Sequence, residues 1–145
     1  MGKKKRMKLL KEWQERLGLT DWRISLHGKC KPEEMALENS AGCTEWNETI
    51  KTARIEIVDP KYYGERVVPF DWEKTLVHEL LHLKTCLVSD RVEELQVRVM
   101  HQMIDDLARA FVSAKRSLAE PASAGAKRQD AGETRHRAKR QGRGV

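Results

Sequence analysis

The sequence has no apolar segment close to the roughly 18 residues that a membrane-spanning helix needs. Its three cysteines, Cys30, Cys43 and Cys86, lie far apart and form no C-x-x-C pair, so neither a disulfide framework nor a cysteine zinc site is supported. It also has no internal repeat, no glycine-rich phosphate loop and no Ser-His-Asp spacing. The first residues are basic but lack the apolar stretch of a secretory signal. We therefore expect a cytoplasmic protein.

Positive charge is concentrated at the two ends of the chain. The 145 residues carry a formal net charge of +6, and residues 115–145 alone hold nine Lys or Arg against three Asp or Glu. Residues 3–11 add six basic side chains and no acid, so residues 12–114 are net acidic, with 13 basic and 19 acidic side chains. Basic ends either make weak, salt-sensitive contacts with nucleic acid or only keep a protein soluble. Both interpretations stay open on the sequence.

The spacing of apolar residues predicts one α+β domain over residues 1–112. A helix that ends at Gly18 comes first, three short strands follow, and two further helices complete the domain, the first of them capped by Asp71. Residues 120–126 have linker composition, and Val145 is the only larger aliphatic residue after Leu118, so we expect residues 113–145 to form a basic disordered tail. The predicted elements are helices at 8–17, 71–87 and 91–112 and strands at 22–27, 41–46 and 53–58.

Residues 78–82 read His-Glu-Leu-Leu-His, an H-E-x-x-H motif inside the second predicted helix. His78 and His82 lie one turn apart on the same face, so both imidazoles reach one ion. Imidazole nitrogen suits zinc, whose catalytic sites take three protein ligands and a water. Glu79 projects beside that water, where a general base takes its proton and delivers it to a leaving group. Incidental histidines on an ordinary helix are the alternative, which the cost of burying unpaired ionisable groups disfavours.

The third predicted helix offers Glu93 and Glu94 as a third ligand. With about 100° per residue, Glu93 falls inside the sector of large apolar residues, whereas Glu94 falls among charged residues. A carboxylate on a buried face is costly unless it is paired or bound to metal, so Glu93 is the predicted ligand. Both glutamates also fit an acidic first turn that stabilises a helix N-terminus. His101 lies at the sector boundary and is predicted to be a solvated histidine rather than a ligand. The sector contains Met100, Met103, Ile104, Leu107 and Phe111.

The segment 77–83, followed by Glu93-Glu94-Leu95-Gln96-Val97, resembles the minimal gluzincin peptidases and is also similar to SprT-like and phage-encoded zincin domains. The resemblance covers about residues 8–112, and its specific part is confined to the two helices. It implies a zincin-like fold with zinc bound by His78, His82 and a downstream glutamate, and with Glu79 as general base. SprT-like members usually take a third histidine instead of the glutamate.

The resemblance also implies an edge strand that holds an extended peptide antiparallel to itself above the metal. Residues 41–46 or residues 53–58 are the candidates for this strand. We therefore expect a monomeric zinc metallopeptidase that hydrolyses peptide bonds of a peptide or protein substrate with a zinc-activated water.

A different class of protein competes with this interpretation. It is an adaptor, metal-stabilised or metal-free, that binds nucleic acid or a protein partner through its basic ends. Among the remaining candidates, Tyr62 and Tyr63 either supply a phenol to a developing oxyanion or, as we expect, pack over the sheet. Cys86 is predicted to be a buried thiol, and the four tryptophans are predicted to anchor the core.

Overall fold

The computed structural model describes residues 1–37, 40–64, 68–89 and 94–119, and only the backbone of 87–89 and 94–95. These residues form four helices and a three-stranded sheet, which confirms the predicted α+β class. The predicted tail beyond Ala119 lies outside the described residues. In chain order the elements are α1 (Lys3–Arg16), β1 (Arg23–Cys30), β2 (Gly42–Asn47), β3 (Thr52–Val58), α2 (Pro60–Tyr63), α3 (Trp72–Ser89) and α4 (Glu94–Ala119).

The sheet has the order β1-β3-β2, so β3 is the central strand. β1 pairs with it in parallel, with Ile24 opposite Ala53, and β2 pairs antiparallel, with Thr44 opposite Ile55. Of the two candidate edge strands in the sequence, β3 is thereby excluded, because both of its edges are already hydrogen-bonded. β2 lies at the edge and contacts α3.

The core forms where the sheet packs against the helices. Ile55 of β3 shares one buried cluster with Leu10 of α1, Leu80 of α3 and Ile104 of α4. As predicted, Trp13 and Trp22 are buried, Trp46 and Trp72 pack against this cluster, and Cys86 is buried within it. Among the described residues, no helix combines the length and apolar character required to cross a bilayer.

Asp71 begins α3 as predicted. Its Oδ1 accepts hydrogen bonds from the backbone amides of Glu73 and Lys74, both at 3.1 Å, which satisfies two of the amides left without partners at a helix start. Leu76, Val77 and Leu80 of α3 are fully buried. The helix is therefore covered by other elements along its apolar side.

The buried face of α4 differs from the predicted sector. Met103 is 52% exposed, and Leu107 and Phe111 are each 39% exposed. The residues that pack are spaced by four along the helix, and they include a small one: Met100, Ile104, Ala108 and Val112. The prediction is confirmed for Met100 and Ile104 and wrong for Met103, Leu107 and Phe111, because it weighted large side chains, whereas Ala108 is buried in the same stripe.

α4 also continues to Ala119, beyond its predicted end at 112. The extra turns carry Lys115, whose Nζ lies 2.5 Å from Glu73 Oε1 and 3.0 Å from Glu12 Oε2. Arg116 donates to both carboxylate oxygens of Asp71, at 2.8 and 3.0 Å. These ion pairs join the end of α4 to α1 and to the start of α3. The composition of residues 113–119 suggested a disordered tail, because composition does not show which acids a basic residue meets in the fold.

The carboxylates of these ion pairs have shifted pKa values. Partial burial raises the pKa of Glu73, but hydrogen bonds from Lys115, Trp13 and Arg116 outweigh burial and leave it below its ordinary value. Burial likewise raises the pKa of Asp71, and the hydrogen bonds from Arg116 and from backbone amides lower it by more. A depressed pKa means that the stabilisation is complete above the unfolded pKa, near 4, and is lost as the pH falls through the folded pKa.

We predict that Lys115→Met lowers the free energy of unfolding at pH 7 by about 1–3 kcal/mol, since a charged hydrogen bond at a partly buried site is removed. The difference from wild type should shrink as the pH falls below about 4 and through the depressed pKa of Glu73, because protonation of this carboxylate removes the ion pair. Urea unfolding at pH 7 and pH 3 measures this. Lys8→Met, at an exposed position of α1, is the control and should stay within about 0.5 kcal/mol of wild type. A loss that is equal at both pH values contradicts the ion-pair explanation.

Candidate metal centre

His78 and His82 lie one turn apart on α3, as the motif predicts. Their ring centroids are 5.1 Å apart, and both rings are partly buried. The apolar residues of α3, such as Val77 and Leu81, point into the core, so the two histidines emerge together at the border between α3 and α4.

His101 of α4 completes a cluster with these two rings. Its ring centroid lies 5.9 Å from that of His78 and 4.7 Å from that of His82. One nitrogen of each of the three imidazoles lies within 4.8 Å of the others. His101 is exposed, as predicted. It nevertheless lies next to the other two histidines, because the packed stripe of α4 contacts α3 and His101 stands beside this stripe.

This donor set fits zinc. Three imidazoles are an established set of ligands for a catalytic zinc, which leaves a fourth position for water. Zinc–nitrogen bonds of about 2.0 Å in a tetrahedron place the nitrogens roughly 3.3 Å apart, so shifts of about 1 Å bring these rings into range. Among the described residues, the three histidines are the one group of metal-ligating side chains that lie this close together.

Burial keeps His78 and His82 in the form that binds metal. It lowers the pKa of His82 to about 4, with smaller contributions from the charges of His78 and His101. Burial also lowers the pKa of His78, although the nearby carboxylate of Asp105 opposes this. Both imidazoles are therefore neutral at pH 7, which leaves a nitrogen lone pair for a cation.

Asp105 lies one turn beyond His101 on α4 and faces His78. Its Oδ1 is 3.6 Å from His78 Nδ1 and 2.9 Å from Lys74 Nζ. A carboxylate near Nδ1 favours the tautomer in which Nε2 is free for a metal. Arg109 also binds Asp105, at 2.9 Å, so this carboxylate is held from two sides.

Glu79 is buried, with only 5% of its surface exposed. Thr44 Oγ1 donates a hydrogen bond to Glu79 Oε2 at 2.8 Å. Burial raises the pKa of Glu79 to about 7, and the hydrogen bond from Thr44 opposes the shift. A carboxyl group with this pKa is matched to proton transfer near neutral pH.

A cleft of about 290 Å³ opens beside His78 and Glu79. Its apolar part is formed by Val68, Pro69 and an aromatic pair, Tyr63 and Phe70, whose ring centroids are 5.0 Å apart. Tyr63 packs in this wall, as expected for the two tyrosines, whereas Tyr62 is 41% exposed, so the expected packing is wrong for Tyr62. The cleft reaches Ala41, directly before β2, so it joins the motif to the edge strand.

The third ligand predicted from the sequence, Glu93, lies outside the described residues, and of Glu94 the structure describes only the backbone. His101, Asp105 and Thr44 were not identified from the sequence as parts of the site. For His101 and Asp105 a signal was present, because they stand four residues apart on a helix and therefore share a face. For Thr44 there was no such signal, since its role depends on the strand pairing.

No protein-family model, no curated protein and no solved structure matches this chain. Interpretation of the site therefore depends on its geometry and on the chemistry of its residues.

We predict that His101→Ala lowers the affinity for zinc at least about 100-fold, because a lost ligand costs more than a lost outer partner. Competition against a chelator of known affinity, at pH 7.5, measures the change. Glu93→Ala is measured in parallel, since the sequence favoured Glu93. His27→Ala, an exposed histidine of β1, is the control and should bind zinc as wild type does. If Glu93→Ala loses zinc and His101→Ala keeps it, the third ligand is the glutamate.

Proposed function

We propose that the protein is a zinc-dependent metallopeptidase. The observation that carries the proposal is the close approach of His78, His82 and His101 beside the buried carboxylate of Glu79. Three imidazoles and an adjacent carboxyl group are the parts that metal-assisted hydrolysis requires. The third histidine favours the SprT-like form of the resemblance over the gluzincin form with its glutamate.

Each residue of the site has a definite task in this proposal. His78, His82 and His101 hold the ion, and Asp105 keeps His78 in the correct tautomer. A zinc ion held by these residues would supply Lewis acidity toward the substrate carbonyl group and toward water. Glu79 takes the proton from the attacking water and passes it to the amine that leaves.

The edge strand β2 is suited to align the substrate. It contacts α3 at the motif, and its outer edge is not paired with another strand among the described residues. An extended peptide that adds to such an edge gains backbone hydrogen bonds without regard to its side chains. The cleft beside His78 and Glu79 then receives a side chain of the bound peptide.

We predict that Glu79→Gln abolishes peptide hydrolysis and leaves zinc binding unchanged, because the amide fills the same space but cannot accept the proton. The experiment combines a fluorogenic library of unstructured peptides with metal analysis of the purified proteins. One zinc per chain is expected in both. Turnover by the variant at the wild-type rate rules out the assigned base, and a wild-type protein that retains zinc but cleaves no peptide rules out the peptidase.

A second candidate function is weak binding of nucleic acid. The observation in its favour is that α1 presents Lys4, Lys8 and Lys11 as exposed side chains on one helix. Such a surface neutralises phosphates without reading bases, and its affinity falls linearly with the logarithm of salt concentration. This function is compatible with a peptidase, since the lysines lie on a different helix from the metal site.

We predict that removing residues 120–145, which carry seven basic side chains, weakens DNA binding while peptide hydrolysis persists. The cut is placed after Ala119 because Lys115 and Arg116 hold α4 in place. Lys4→Glu with Lys8→Glu should weaken the remaining binding further. Fluorescence anisotropy at low and moderate salt measures both effects. Equal affinity of the full and shortened chains assigns the DNA contacts to the domain alone.

A further inference from the structure

The edge strand β2 contacts the carboxylate of Glu79 at two of its positions. Successive residues of β2 face opposite sides of the sheet. Gly42 and Thr44 face α3, whereas Cys43 and Glu45 face the other side. Both inward positions meet the same side chain. This strand is also the edge that the proposed function assigns to the substrate.

Because Gly42 has no side chain, the carboxylate of Glu79 occupies the space beside the strand at this position. A Cβ atom at this position would lie 2.5 Å from Glu79 Oε1 and 2.9 Å from its Cδ. Real Cβ atoms do not approach other atoms so closely, so any larger residue must displace either the strand or the carboxylate. The backbone of β2 thus limits where Oε1 lies.

Thr44 holds the other carboxylate oxygen. Its hydroxyl lies 2.8 Å from Glu79 Oε2, and it lies 3.3 Å from the backbone oxygen of the same residue. A hydroxyl has one hydrogen to donate, and a carboxylate at the shorter distance is the stronger acceptor. The bond selects one rotation of the carboxylate group.

We infer that Gly42 and Thr44 are positioning residues that orient the carboxylate of Glu79 for proton transfer. The strand β2 then both orients the general base and aligns the substrate. The inference rests on the proposed function. According to this inference, β2 determines the distance between the peptide bond of the substrate and the carboxylate of Glu79. Errors of about 1 Å in such a distance reduce rates roughly a hundredfold.

Substitution of Thr44 tests this with a matched pair. Thr44→Val keeps the shape and removes the hydroxyl, whereas Thr44→Ser keeps the hydroxyl and removes a methyl group. We expect Thr44→Val to lower kcat roughly ten- to a hundredfold with KM and zinc affinity unchanged, and Thr44→Ser to restore most of the wild-type kcat. Thr20→Val, the same change at an exposed residue between α1 and β1, is the control and should behave as wild type.

A second measurement does not require turnover. Carbodiimide coupling followed by mass spectrometry reports how accessible each carboxyl group is. Labelling of Glu79 should be slow in wild type and in Thr44→Ser, and several-fold faster in Thr44→Val and in Gly42→Ala, where the carboxylate is displaced.

The possible results separate the inference from the proposed function. Equal losses in Thr44→Val and Thr44→Ser, or a change in KM or zinc affinity with kcat unaltered, overturn the positioning role and indicate packing alone. Wild-type labelling and kcat in Thr44→Val also overturn it. If no protein cleaves any peptide, the proposed function fails, and the labelling of Glu79 still decides whether β2 holds this carboxylate.

Discussion

The burial of α3 is the constraint on which the rest of this structure depends. The helix lies against the sheet on one side and α4 on another, and Leu76, Val77 and Leu80 are fully buried. A helix covered in this way tolerates polar side chains only where a neighbouring element supplies a partner. Glu79 has Thr44 of β2, and His78 has Asp105 of α4. The composition of the candidate site therefore follows from what surrounds α3.

The packing of α4 decides which of its residues reach the site. Ala108 lies in the buried stripe, where a small side chain permits a close approach, and this stripe turns His101 toward His78 and His82. At the far end of α4, Lys115 and Arg116 bind acids at the end of α1 and the start of α3. These ion pairs and the apolar stripe together align α4 beside α3 over most of its length.

The parallel pairing of β1 with β3 has a consequence for function. Because β3 takes the centre of the sheet, β2 is left at an edge and beside the motif. The strand that is open to an added peptide is thus the strand that contacts Glu79. In the proposed peptidase, this arrangement brings alignment of the substrate and orientation of the base into one element.

The sequence alone located the three longer helices, the three strands and the two histidines of the motif, although not the short helix α2 or the last turns of α4. Periodicity and capping signals located α3, with Asp71 at its start, because those signals depend on residues within one turn of each other. The α+β class followed from the order of such elements. Spacing by four placed His78 and His82 on one face, and no tertiary contact was needed for that conclusion.

Only the tertiary structure decided which residues meet the motif. His101 is nineteen positions beyond His82, and its approach depends on how α4 is rotated about its axis, which large side chains such as Met103 and Phe111 indicated wrongly. Thr44 and Gly42 reach Glu79 through the pairing of β2 with β3, a choice between strands that no local pattern encodes. Lys115 and Arg116 lie in the segment predicted to be disordered, yet they are ordered by acids that are distant in sequence. Local signals specify elements because they act within a turn or a strand, whereas the site is assembled by packing between elements.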